Sequence, residues 1–343
     1  MTFAPKTTLA VALSALVGWS GAAAAETLRV ADSLPTNHYI SGNLIEPWMK
    51  RVTELTKGEV TFDYYPAEQM GKAKDLFALL QTGAIDIAYV GVSYTPDKLP
   101  LASVAELPEA FTSSCVGSKA YWEMAKPGAT LDQAEFAPQK SRMLIEMVLA
   151  PYQLMTAKRE ITDVASLKGM KIRATGGAKE IEIQKLGSTA VGIAAPEARE
   201  ALSRGTIDGI LFPYSSVLPY DLGPELSYST TGLNLGSFIS SYMINADRWQ
   251  RLSPEVQAAM DQASAEIMPQ ACAAIERIDA EDREKLAAQG VKMVTLPEAE
   301  IPKLDEILQS VGADWAQHLD ARGKPGTAVL EEFRSILESQ AAN

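Results

Sequence analysis

Two cysteines and two histidines in 343 residues leave little from which to build a metal centre. Cys115 and Cys272 lie far apart, as do His38 and His318, and no C-x-x-C pair exists. Catalytic signatures are missing as well: there is no G-x-S-x-G, G-x-G-x-x-G, Walker P-loop or H-E-x-x-H. Basic charge is in deficit, with 31 Lys and Arg against 43 Asp and Glu, a net charge of −12. That balance argues against nucleic acid or an anionic membrane surface as a partner. Past the N-terminus, no hydrophobic run reaches membrane-spanning length. What remains, at 47% hydrophobic residues, is a chain long enough for two domains with separate cores.

The N-terminus stands apart. Lys6 supplies a positive start, Thr8 to Trp19 an apolar core, and Ala23-Ala24-Ala25 a small-residue cleavage site. Residues 1–25 are therefore expected to be a cleaved secretory signal. The chain from Glu26 would carry a net charge of −13, because Lys6 is the one charge removed. In an oxidising compartment Cys115 and Cys272 allow either one disulfide or two buried thiols, and sequence alone leaves both open.

Two stretches share one plan. From Leu28 the order is strand, helix (about Ser41 to Thr56), strand (Val60–Tyr65), helix (about Lys72 to Gln81), strand (Ile85–Val90). After Met170 it is strand (to Ala174), helix (Ala178–Leu186), strand (Ala190–Ile193), helix (Pro196–Arg204), strand (Ile207–Phe212). Gly58, Gly83, Gly187 and Gly205 stop the helices. The junctions Leu80-Gln-Thr-Gly83-Ala-Ile85-Asp86 and Leu202-Ser-Arg-Gly205-Thr-Ile207-Asp208 both read L-x-x-G-x-I-D. Two similar βαβαβ lobes around a cleft are expected. Asp86 and Asp208 read as turn or capping residues rather than a catalytic pair. Ser253 before Pro254 starts a helix running to about Gln289, kinked at Pro269 and long enough to brace both lobes.

The stretch Leu167 to Gly177 concentrates the functional signal. Met170, Ile172 and Ala174 alternate with Lys171 and Arg173, and Gly176-Gly177 precede a helix. Ligands of open α/β sheets bind at strand carboxyl ends. A Gly-rich turn at a helix N-terminus is an anion site, and a guanidinium beside it grips a carboxylate with two hydrogen bonds. The alternative is a surface arginine on an edge strand. His38, in the loop after the first strand, reads as a loop residue or ligand contact, since no nucleophile pairs with it.

The chain resembles the DctP-type solute-binding proteins of tripartite ATP-independent periplasmic (TRAP) transporters. Tyr65-Pro66-Ala-Glu-Gln-Met70-Gly71 is similar to their P-x-x-Q-L-G loop. Leu80 to Asp86 is similar to Q-x-G-x-x-D, Leu167-Lys-Gly-Met-Lys-Ile-Arg173 to L-K-G-x-K-I-R, and Ala201 to Gly209 to A-L-x-x-G-x-x-D-G. Trp249 to Pro254 resembles the start of their long helix. The resemblance implies a two-lobed, type II-like periplasmic-binding-protein fold whose lobes exchange strands. Lobe 1 would hold 26–150 plus about 240–270, and lobe 2 would hold 151–239 plus about 271–343 with the C-terminal helices. It implies a periplasmic receptor that catalyses nothing, uses no cofactor and hands a small organic acid to TRAP permease subunits. A sensing domain and a secreted enzyme are the other classes open to such a fold.

Arg173 corresponds to the arginine that binds the ligand carboxylate. The rest of the expected site is Asn37, His38, Glu68, Gln69 and Tyr94 from the first lobe, with Tyr152, Phe212, Ser215, Ser237 and Phe238. Members that bind acidic sugars carry a second arginine where Tyr152 stands and an Asn where Phe212 stands. The pocket should therefore be less polar and more aromatic, with Tyr152 and Phe212 against the ligand's apolar body.

Overall fold

In the computed structural model, which describes residues 1–2, 26–108 and 110–341, regular structure begins at Glu26. The expected signal segment falls almost wholly outside the described residues. Strand β1 (Glu26–Ala31) leads through the Pro35 turn into a wide helical turn at Ser41–Ile45 and helix α1 (Glu46–Leu55). Then come β2 (Val60–Tyr65), α2 (Leu76–Gln81), β3 (Ile87–Gly91), α3 (Ser114–Ala125) and β4 (Ser141–Val148). The second unit holds β5 (Gln153–Thr156), β6 (Lys171–Ala174), α4 (Ala178–Lys185), β7 (Thr189–Gly192), α5 (Ala198–Ser203), β8 (Gly209–Phe212) and β9 (Tyr228–Thr230). The chain closes with β10 (Ile239–Asn245), α6 (Ala246–Arg251), α7 (Pro254–Ala288), β11 (Lys292–Val294), α8 (Ile301–Asp320) and α9 (Gly326–Ala341).

The strands form two sheets, ordered β2-β1-β3-β10-β4 and β11-β9-β5-β8-β6-β7. In the first, β1 runs parallel to β2 and β3. In the second, β6 runs parallel to β7 and β8. The next strand in each sheet is antiparallel and comes from the far side of the chain: β10 against β3, and β5 against β8. The first core is thus completed by β10, which follows the second unit in the chain, and the second by β5, which precedes it. The two crossing segments pair with each other, Leu149 N–H to Phe238 O at 2.9 Å and Tyr152 N–H to Gly236 O at 2.8 Å.

The repeated L-x-x-G-x-I-D junction has a physical purpose. Asp86 Oδ2 accepts the backbone N–H of Arg29 at 2.9 Å, and Asp208 Oδ2 accepts that of Lys171 at 2.8 Å. Each carboxylate therefore ties the third strand of its unit to the first. The side chains of the same two residues reach the glycine carbonyls, Arg29 Nη2 to Gly83 O and Lys171 Nζ to Gly205 O. The repeat is a structural clamp used twice.

Helix α7 is 35 residues long, capped by Ser253 Oγ on the Val256 N–H, and it continues as a helix through Pro269. Its first half lies on the first sheet, where Ser264 Oγ accepts Trp48 Nε1–H at 2.9 Å and donates to Leu144 O at 2.6 Å. Cys272 is bonded to Cys115 in the first turn of α3, with Cα atoms 5.0 Å apart, which decides between disulfide and free thiols. Further along, Asp279 Oδ1 accepts the Ser215 N–H at 2.8 Å, so the helix also holds the second lobe. The C-terminal helices do not sit on the second lobe alone. Trp315 of α8 donates to Ser103 Oγ and Glu332 of α9 accepts from Thr130, both of them first-lobe residues, while Asp314 pairs with Lys185 of α4.

Candidate functional site

Strand β6 is interior to its sheet, between β8 and β7, so Arg173 is not a surface arginine on an edge strand. Its side chain is 2% exposed. Nε donates to Ile193 O at 2.9 Å, which fixes the plane of the guanidinium, and Nη2 donates to Tyr94 Oη at 3.3 Å. Cζ lies 4.9 Å from the centre of the Phe212 ring, a cation–π contact. Neither hydrogen bond uses Nη1.

Around this group is a narrow, nearly closed cavity of about 20 Å3 at the carboxyl ends of β1, β3, β6 and β8. Tyr94, Phe238, Tyr152, Phe212, Tyr220, Tyr89 and His38 line it, with Leu34, Leu149, Ala195, Ser216 and Ser240. Local structure explains the placement. Tyr94 ends the short helical turn after β3, and Phe212 ends β8 in register with Gln153, next to Tyr152. Tyr94 and Phe238 pack with ring centres 5.2 Å apart. Gly91 permits that packing, because a Cβ there would lie 2.2 Å from Phe238 Cζ. Asp32 shapes the turn that presents Leu34 and His38. Its Oδ1 accepts the Leu34 N–H at 2.9 Å, and its Oδ2 accepts Tyr242 Oη at 2.6 Å and Tyr64 Oη at 2.8 Å. Burial nevertheless raises the Asp32 carboxyl to about 6.

Of the expected site residues, Arg173, Tyr152, Phe212, Tyr94, His38 and Phe238 are brought together. The other five are not. Asn37 and Gln69 are exposed. Glu68 closes its own loop, accepting the Ala73 N–H at 2.9 Å and pairing with Lys72 at 2.7 Å. Ser237 is buried with its hydroxyl donated to Leu149 O at 2.6 Å, and Ser215 is held by Asp279 behind the wall. The Glu68 and Ser237 side chains are used in local bonds, whereas Ser215 is tied through its backbone N–H.

The glycine turn also differs from expectation. Gly176 has φ +119°, and a Cβ on it would lie 2.5 Å from Ser93 O of the first lobe. Gly176-Gly177 thus let the lobes approach closely, and they do not line the cavity as an anion site. Sequence reasoning missed Tyr220, which follows Pro219 in a segment with no periodicity, and Tyr89, which reads as one more residue of a buried strand.

The electrostatics suit an anion. Among the described residues no acidic side chain lines the cavity, and burial raises the Tyr94, Tyr152 and Tyr220 phenols, so they remain neutral donors. Burial lowers His38 to about 3, so the imidazole is neutral. Among the described residues no group of three or more His, Cys, Asp or Glu is placed to hold a metal ion. No helix of the described residues is long and apolar enough to cross a membrane.

Comparison with known proteins gives a consistent result. The family model DctP, bacterial extracellular solute-binding protein family 7, matches residues 30–318. The outer membrane transporter protein TsaT of Comamonas testosteroni is 25% identical over 335 residues, covering 94% of this chain and 95% of that protein. A TRAP solute-binding protein from Rhodoferax ferrireducens, crystallised with copurified benzoate, superposes with a TM-score of 0.83. It is 25% identical, over 92% of this chain and 99% of that one. Another from Bordetella bronchiseptica, holding (R)- and (S)-mandelate, gives 0.82 at 25% identity over the same shares.

Proposed function

The chain belongs to the DctP family of bacterial extracellular solute-binding proteins, and we propose that its solute is a single-ring aromatic carboxylate. One observation carries this reading: a buried arginine sits in a small cavity walled by aromatic rings, and among the described residues part of its guanidinium is unbonded and no acidic side chain lines the cavity. The guanidinium takes the carboxylate. The rings of Phe212, Tyr152, Tyr94 and Phe238 take an apolar body. The cavity is nearly closed, so a ligand enters by opening the lobes, and the aromatic lining rather than the volume favours a ring over a sugar acid. The related proteins from Rhodoferax and Bordetella hold benzoate and mandelate, both single-ring acids.

The receptor would work outside the cytoplasm, after export directed by residues 1–25, and would deliver the acid to a TRAP permease. Closure would bring Tyr94 of the first lobe onto Arg173 of the second around the bound acid. A thermal-shift series with benzoate, phenylacetate, mandelate, succinate and glucuronate tests the reading. A ligand at 100 times its Kd adds about 2.7 kcal/mol of stability. Stabilisation by the first three and none by the last two is expected, and the reverse pattern would overturn it.

A further inference from the structure

His38 lies in the same cavity at some distance from Arg173. The wall between them runs through rings: Arg173 Cζ to Phe212 at 4.9 Å, Phe212 to Tyr220 at 6.0 Å, Tyr220 to His38 at 5.3 Å. A planar ring whose carboxylate is on Arg173 would lie along that wall, with its far edge toward the imidazole.

The hydrogen bonding of His38 fixes which proton it carries. Nδ1 lies 3.2 Å from the backbone nitrogen of Ile40. A backbone N–H can only donate, so Nδ1 is the acceptor and has no proton. Burial keeps the ring neutral, with its pKa lowered to about 3. The single ring proton is therefore on Nε2. Nε2 has no hydrogen-bond partner among the described residues. The nearby hydroxyls differ: Ser216 Oγ pairs with Tyr39 Oη at 3.0 Å, and Ser240 Oγ pairs with Tyr89 Oη at 3.1 Å. A phenol such as Tyr220 can turn to donate or accept, so it discriminates little. Nε2–H can only donate.

Building on the aromatic-carboxylate reading, we infer that His38 is a specificity residue whose Nε2–H selects aromatic acids bearing an oxygen acceptor on the ring away from the carboxylate. A hydroxy, methoxy or oxo substituent satisfies this donor. A methyl group of similar size leaves it desolvated and unpaired, which costs on the order of 10- to 100-fold in affinity.

Calorimetric titration of 3- and 4-hydroxybenzoate against 3- and 4-methylbenzoate tests this. The variants are His38→Asn, whose amide oxygen can replace Nδ1 on the Ile40 N–H but has no donor at the Nε2 position, and His38→Gln, whose amide nitrogen reaches that position. Melting curves check that both fold. The expected result is at least tenfold preference for one hydroxy acid over its methyl analogue in the wild type. In His38→Asn the preference should fall below threefold, and His38→Gln should retain part of it. Methylbenzoate affinity should rise in His38→Asn, where no donor is left unpaired against the methyl group. If the aromatic acids bind but the preference is absent from the wild type, or survives in His38→Asn, the role of His38 is overturned while the aromatic reading stands. If no aromatic carboxylate binds the wild type, both are overturned.

Discussion

Arg173 Nη2 lies 3.3 Å from the hydroxyl of Tyr94, and that hydroxyl also accepts the Ala195 N–H at 3.1 Å. Tyr94 follows a strand of the first sheet, whereas Arg173 and Ala195 belong to the second unit. One phenol oxygen thus joins the lobes at the point where a carboxylate would bind. Tyr94→Phe removes both bonds and leaves the Ala195 N–H unpaired in the closed form. Affinity for the best ligand should fall roughly 5- to 150-fold, at about 1–3 kcal/mol for an orphaned buried donor. Unliganded stability should change less, because an open cleft lets water reach the same groups. Calorimetry and a melting curve on one preparation check both; equal affinity would refute the contact's role.

Arg173 should be the most sensitive position for binding. Arg173→Ala strips the ligand's carboxylate of its partner in a desolvated site, a loss of about 2–5 kcal/mol, or about 30- to several-thousand-fold. Arg173→Lys keeps the charge but cannot hold Ile193 O, Tyr94 and a ligand oxygen at once with a planar fork, so it should bind poorly too. Binding by Arg173→Ala within threefold of wild type, in a protein that melts normally, would sink the assignment.

The two units were legible because the same punctuation recurs: glycine stops, apolar strands and the L-x-x-G-x-I-D junction that Asp86 and Asp208 turn into clamps. The return of β10 to the first sheet has no local signal, since a strand's pattern does not name its sheet. In the site, Arg173 and Phe212 were legible because they stand at strand ends, where the chain's path fixes their direction. Asn37, Glu68, Gln69, Ser215 and Ser237 were chosen by segment, and a loop's path does not reveal which side chain faces inward. Tyr220 was invisible for the same reason. The disulfide was undecidable, with its ends 157 positions apart in sequence.

Lys179 is a second interlobe tie, this one without access to ligand. From α4 its Nζ donates to Glu106 O at 2.9 Å, Leu235 O at 2.7 Å and Glu182 Oε2 at 2.8 Å, and both charged side chains are at most 1% exposed. Gly236 makes room for it, since a Cβ there would lie 2.0 Å from Nζ and 2.3 Å from Glu106 O. Lys179→Met orphans two carbonyls and a carboxylate, and should cost about 3–5 kcal/mol, lowering the denaturant midpoint. A midpoint shift equivalent to less than about 1 kcal/mol would show that the cluster has collapsed harmlessly.

Reducing the Cys115–Cys272 bond should destabilise the fold. Closing a loop of this length gives about 5 kcal/mol in the chain-entropy model, and measured losses are typically 2–5 kcal/mol. Alkylation of the unreduced protein should modify neither cysteine, and a Cys115→Ser/Cys272→Ser variant should melt several degrees lower with ligand specificity intact. Equal melting temperatures would mean that α3 and α7 hold each other without the bond.

The last expectation concerns pH. Burial raises Glu106 and Glu135 from 4.5 to about 7 and Asp32 from 3.8 to about 6, and raises Glu182 and Glu146 as well. Among the described residues neither buried carboxyl oxygen of Glu146 has a partner, which the protonated form tolerates far better. A carboxyl with a raised folded pKa binds its proton more tightly in the native state. Its contribution is complete below the unfolded pKa and is lost as pH rises through the folded one. Between about 4.5 and 7, Glu106 and Glu135 therefore both favour the native state on acidification, joined below 6 by Asp32. His38 opposes them: lowered from 6.5 to about 3, it weakens the fold as pH falls through that window. Each net proton changes stability by about 1.4 kcal/mol per pH unit, and the acids outnumber the histidine. Urea midpoints should therefore rise from pH 7.5 to pH 5.5 and turn over near or below 4.5, where the acids have no more to add. Glu106→Gln, which stays neutral throughout, should flatten the slope between 5.5 and 7.5. A midpoint that falls steadily on acidification from 7.5, or a slope unchanged in Glu106→Gln, would show that these carboxyls are ionised in the folded protein.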